Sequence, residues 1–102
     1  MSFESFQKFV PRAINKYGIS KEAHAAEICH YARLTIPELF STHPEPEKNI
    51  TPARYQDGEI VFNVSSPTWG QEVIMRKPKI IDEINKKAGH EVIKKLRTQL
   101  FS

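Results

Sequence analysis

Four histidines, one cysteine and a cluster of basic residues are the groups in this sequence with chemistry to offer. Among His24, His30, His43 and His90, only His30 stands in a ligand-like spacing, as the end of Glu27-x-x-His30. A bundle-type metal site needs that unit twice, together with two further carboxylates. No second unit is present, so no metal ligand set is assigned. Cys29 falls on the apolar stripe of a helical pattern, where a thiol packs as a small hydrophobe, and the sequence places no base to lower its pKa. A single cysteine forms no internal disulfide, which suits a reducing compartment. No nucleophile–base pair, Gly-rich phosphate loop or cofactor fingerprint is recognisable. The expectation is a non-enzymatic protein without metal, cofactor or small-molecule substrate.

The basic residues carry the stronger signal. Residues 1–70 hold seven Lys/Arg against eight Asp/Glu, whereas residues 71–102 hold eight against four, so the net charge of +3 belongs to the last third. Arg76, Lys77 and Lys79 flank Pro78, Lys86 and Lys87 close the helical pattern that follows, and Lys94, Lys95 and Arg97 lie on the last element. Arg54, on the outer face of a hairpin, is placed to join Lys95 and Arg97 across a sheet. From charge alone a solvated charged face is the favoured reading; as a binding surface, such a spread suits contact with a nucleic-acid backbone better than readout of base edges. Trp69 has two readings, a platform on which a base stacks or a core anchor one turn into an amphipathic helix. The core reading is favoured.

The elements that must position these groups centre on residues 55–73, YQDGEIVFNVSSPTWGQEV. Asp57-Gly58 between alternating apolar residues predicts a two-residue hairpin turn with positive φ at both centres. Ile60, Phe62 and Val64 then share one face, with Tyr55 opposite Ile60 and Ala53 opposite Phe62. Tyr55, Ile60, Phe62, Val64 and Trp69 are the expected structural core. Ser66 followed by Pro67 predicts a helix N-cap with proline at the first position.

Upstream, helical spacing predicts a helix from Pro11 to Gly18 and a second one capped by Ser20, with Ala25, Ile28, Cys29, Ala32 and Ile36 as its stripe. Pro37 is expected to bend or end it. Residues 41–52, with three prolines and no apolar periodicity, read as an exposed loop. The helix from Pro67 should kink or break near Lys77 and end at Gly89. The last segment fits either a helix, through Val92, Leu96 and Leu100, or a strand with Leu96, Thr98 and Leu100 facing inward. The strand is favoured, because a third strand gives a lone hairpin independent stability.

The predicted fold is therefore α+β, in the order α-α-β-β-α-β around a three-stranded sheet. It forms one domain over 1–102: a helical part (1–40), a Pro-rich loop (41–52) and a ββαβ core (53–102). No apolar run approaches 18 residues and no basic-then-apolar start is present, so neither a membrane span nor a secretory signal is expected, which agrees with a cytoplasmic protein.

The ordered set from Thr51 to Val73, TPARYQDGEIVFNVSSPTWGQEV, followed by Ile80-Ile81-Asp82-Glu83-Ile84-Asn85 and Gly89-His90-Glu91-Val92, resembles the DciA family. Lys95-Leu96-Arg97 is similar to the family's last strand. The resemblance implies a KH-like domain in a bacterial factor that assists loading of the replicative DNA helicase, with single-stranded or forked DNA and the helicase as partners. It implies no catalysis. The alternative is a KH-like RNA-binding module, for example in ribosome assembly. Gly18, Gly58, Gly70 and Gly89 are isolated, however, and the Gly-x-x-Gly loop of RNA-binding KH domains is not found.

Overall fold

A computed structural model describes residues 20–101. The helix expected from Pro11 to Gly18 and the side chain of Ser20 lie outside the described set. The elements run α1 (Ser20–Leu39), α2 (Pro46–Asn49), β1 (Ile50–Gln56), β2 (Glu59–Val64), α3 (Pro67–Met75), α4 (Lys77–Ala88) and β3 (Lys95–Leu100). The class is α+β, as expected, with the helices packed on one face of a three-stranded sheet in the order β1-β2-β3.

The hairpin forms as its turn residues dictate. Asp57 and Gly58 both take positive φ, at 51° and 83°, the geometry that matches strand twist across two residues. β1 pairs antiparallel with β2, and Tyr55 stands opposite Ile60. The pairing of Ala53 with Phe62 is corrected: Pro52 takes that place, because the register shifts between Pro52 and Arg54. Ala53 is the extra residue of a β-bulge and lies exposed. Proline explains the break, since it has no N–H to give to a ladder.

β3 is a strand, running parallel to β2 in the register Ile60↔Leu96, Phe62↔Thr98 and Val64↔Leu100. A parallel neighbour requires a crossover, and α3 and α4 supply it. Leu96 is buried and Thr98 half-buried, but Leu100 is 56% exposed, so the inward-facing pattern expected of β3 fails at its last position. Leu100 instead lines an open groove beside α3.

The core joins Ile28, Ala32, Ile36 and Phe40 of α1 and its end with Ile60, Phe62 and Val64 of β2, Val73 of α3, and Ile80 and Ile84 of α4. Tyr55 and Trp69 pack against this cluster and are only partly buried. The Tyr55 hydroxyl donates to the Val92 carbonyl at 2.5 Å, tying the hairpin to the approach of β3. Ser66 caps α3 as its position predicts, its hydroxyl accepting from the Trp69 N–H at 3.3 Å.

The prolines act differently at each site. The chain breaks at Arg76, and Pro78 sits in the first turn of α4, where its missing N–H costs nothing. Pro37 does not stop α1, which continues to Leu39; lying in the last turn, it removes one hydrogen bond, and the Phe40 N–H still donates to the Ile36 carbonyl at 3.0 Å. Residues 41–52 are not all loop. Pro46 opens the short α2 and is buried, and β1 already begins at Ile50, which is 1% exposed. Gly89 ends α4 at φ 88°, the left-handed cap expected of it.

Candidate nucleic-acid interface

Strand register decides which basic side chains are neighbours. Arg54 and Arg97 are both paired with Val61, one from each side, so they occupy a single row across the sheet. With adjacent strands about 4.8 Å apart, their backbones are separated by about 10 Å. The next row is Gln56, Glu59 and Lys95. These side chains share the face opposite Ile60 and Phe62 and point away from the helical layer. Arg54, Lys95 and Arg97 are exposed, and exposed Lys94 lies beside the hairpin turn, its side chain 3.9 Å from where a Cβ on Gly58 would be.

The charge on this face is barely compensated. Glu59 lies 3.3 Å from the Arg97 Nε, and no other ion pair among the described residues involves Arg54, Lys94, Lys95 or Arg97. An exposed pair of this kind contributes ~0–1 kcal/mol, too little to withhold Arg97 from a phosphate. The face continues as a polar strip: Gln99 donates to Asn63 at 2.7 Å, and Ser65 to Asn49 at 2.6 Å. Glu59 and Asn63 of β2 belong to that face, whereas Val61 between them is 1% exposed.

The remaining basic residues lie elsewhere. Lys77, Lys79, Lys86 and Lys87 are on α4, in the layer on the other side of the sheet. Lys87 is bound to Glu38 at 2.9 Å and Glu83 at 3.8 Å, tying α4 to α1, and Lys86 lies 3.5 Å from Glu83. Arg76 is held inside the fold: it pairs with Glu72, donates to the Glu72 carbonyl at 3.2 Å, and stacks its guanidinium 4.6 Å from the Phe40 ring centre. The nine basic positions thus divide into an open set on the sheet and a set on or next to α4 in which several charges are already paired.

The histidines do not converge on a ligand geometry. His24 stacks on His90 at 6.4 Å and meets the Tyr55 ring edge-on at 5.9 Å. His43 lies 3.4 Å from Glu72 and 5.6 Å from the Trp69 ring, and the half-buried Trp69 packs against Phe40 and His43 on the helical side of the sheet. Glu27 accepts a hydrogen bond from the Tyr31 hydroxyl at 2.7 Å. That bond is the largest cause raising the Tyr31 pKa above its ordinary value. Among the described residues no group of three or more His, Cys, Asp or Glu is placed to hold a metal ion. Cys29 is half-buried; burial pushes its thiol pKa up, and Arg33 one turn on only partly opposes that.

One functional support escaped sequence reasoning. The Asn85 Oδ1 accepts from the Val92 and Ile93 N–H groups, both at 2.9 Å, and its Nδ2 donates to the Ile93 carbonyl at 3.3 Å. This side chain fixes the turn from α4 into β3, and with it the placement of Lys95 and Arg97.

The hairpin, crossover helices and parallel third strand lie within a matched segment: the family model described as Dna[CI] antecedent, DciA, matches residues 43–98, more than half of the chain. The chain belongs to the DciA family. No curated protein matches it. DciA membership places the chain among helicase-loader-associated domains and so connects it with DNA replication. The match spans β1, β2, α3 and α4 and reaches Thr98 in β3, which takes in every basic position discussed above. No helix among the described residues is long and apolar enough to cross a membrane.

Proposed function

We propose that this DciA domain is a non-enzymatic adaptor that binds single-stranded or forked DNA through the outer face of its sheet while engaging the replicative helicase, and that it acts in the cytoplasm. The observation that carries the DNA contact is the pair Arg54 and Arg97, exposed on either side of the buried Val61, with exposed Lys95 one row away on the same face of the sheet. Two arginines about 10 Å apart on the strands that flank β2 suit successive or alternate phosphates of an extended strand. Contact of that kind fixes a backbone without reading sequence, and the packing of Trp69 against Phe40, His43 and the core, on the opposite side of the sheet from Arg54 and Arg97, supports backbone contact over base stacking.

Fluorescence anisotropy on labelled single-stranded DNA tests the assignment. Arg54→Glu combined with Arg97→Glu should weaken binding by about tenfold or more, a loss of at least ~1.4 kcal/mol. Lys79→Glu combined with Lys86→Glu, on α4, should change it by less than about threefold. The reverse ranking would move the interface to α4. Co-sedimentation with the purified replicative helicase tests the second half of the proposal, and absence of a complex at micromolar concentration would remove it.

A further inference from the structure

The two edges of the sheet are built differently. β1 carries Pro52 and a bulge at Ala53, both of which spoil an edge as a template for another strand. β3 carries neither. Its six residues, Lys95 to Leu100, are in regular register with β2, and among the described residues the sheet ends at β3.

Hydrogen-bond parity shows which groups that edge offers. The Lys95 N–H donates to the Gly58 carbonyl at 3.1 Å and the Phe101 N–H to the Val64 carbonyl at 2.9 Å, so the odd-numbered residues bond toward β2. In a parallel ladder the alternate residues turn both backbone groups the other way. Leu96, Thr98 and Leu100 therefore present N–H and C=O groups outward along the edge.

Beside these groups lies an apolar groove of about 490 Å³ between α3 and the end of β3, lined by Val64, Pro67, Gly70, Ile74, Thr98 and Leu100 among others. Ile74 is 47% and Leu100 56% exposed, and the adjoining Phe101 is 44% exposed. On the other face of the same strand stand Lys95 and Arg97.

We infer that β3 and this groove form a docking site for an extended segment of a partner protein that alternates apolar and acidic residues and adds itself to the sheet as a fourth strand. Side chains of such a strand alternate between faces. Those opposite Thr98 and Leu100 enter the groove, the one opposite Leu96 lies on the same inner face, and all are apolar; those opposite Lys95 and Arg97 meet positive charge and are acidic. Main-chain bonds supply affinity and the alternating contacts supply selectivity. The charge pattern selects an acidic segment over a basic or neutral one, and the site shares Lys95 and Arg97 with the proposed DNA-binding row while adding the strand edge and the inner face.

The test is a titration of the isotopically labelled protein with a short, end-blocked peptide alternating valine and glutamate, followed by amide shifts. Saturable shifts at Leu96, Thr98, Leu100 and Ile74 are expected. The same peptide with lysine for glutamate should bind at least about tenfold more weakly, and so should one N-methylated at the amides facing β3. Leu100→Lys, at a position already exposed, should reduce binding by a similar factor while the spectrum remains that of the folded protein. No shifts at the β3 amides with ~1 mM peptide would overturn the assignment. Equal binding of the lysine peptide, equal binding of the N-methylated peptide, or concentration-dependent self-association through β3 would each overturn it as well.

Discussion

Single residues hold the hairpin and the last strand in place, and Asn85 is the clearest case. It satisfies two backbone N–H groups in the turn before β3. Asn85→Ala leaves both without their partner, and should lower the unfolding free energy by about 2 kcal/mol in a denaturant titration. Tyr55 offers a pH test. Burial is the main cause raising its phenol pKa above 10.0, and its proton is used in the bond to Val92. Above pH 10 the unfolded chain releases that proton more readily than the folded one, so the unfolded state binds fewer protons and stability falls as pH rises. The loss should proceed through the folded pKa and be smaller in Tyr55→Phe than in the wild type. Trp69, half-buried against Phe40 and His43, should cost ~2–3 kcal/mol on substitution by alanine, less than a fully enclosed ring. At this scale Ile60, Phe62 and Val64 were legible because alternation alone sets the face of a strand. Asn85 was not, because its partners are backbone groups seven and eight residues away that only the turn brings near.

At the level of elements, turn and cap chemistry was readable, as were Pro67 at a helix start and the break before Pro78, whereas the roles of Pro37 and Pro46 were not. Asp57-Gly58, Ser66-Pro67 and Gly89 each act as their residue types require. Pro78 and Pro46 start helices where missing donors are unneeded, whereas Pro37 is absorbed in a last turn. Their position within a helix, which sequence fixes only to within a few residues, decides between these outcomes. The Pro-rich segment was misread for the same reason, Pro46 opening α2 and packing into the fold instead of keeping the chain extended. Gly70, in the body of α3, allows an element-scale prediction. An added Cβ would meet Val64 at 3.5 Å and Thr98 at 3.6 Å, both ordinary contacts. Gly70→Ala should therefore raise stability by ~0.5–1 kcal/mol, seen as a higher melting temperature.

For the whole molecule, the order of elements was legible and the grouping of charge was not. Nine basic positions look like one surface in sequence because eight of them fall between residues 76 and 97. The fold separates them, since α4 packs on one side of the sheet while Arg54, Lys95 and Arg97 project from the other. Ion pairs sharpen the difference by committing Arg76 and Lys87 to internal partners. A DciA domain built this way has its proposed nucleic-acid face and its proposed docking edge sharing Lys95 and Arg97, so that occupants of the two compete for the same charges. The most direct test of the DNA-binding face is the salt dependence of single-stranded DNA binding. Each phosphate contact to a single strand contributes a slope of about −0.7 in log K against log salt. Arg54→Gln combined with Arg97→Gln should make the slope shallower by about 1.4, with the fold retained. An unchanged slope in that variant would contradict the assignment of the sheet's outer face as the DNA-binding surface.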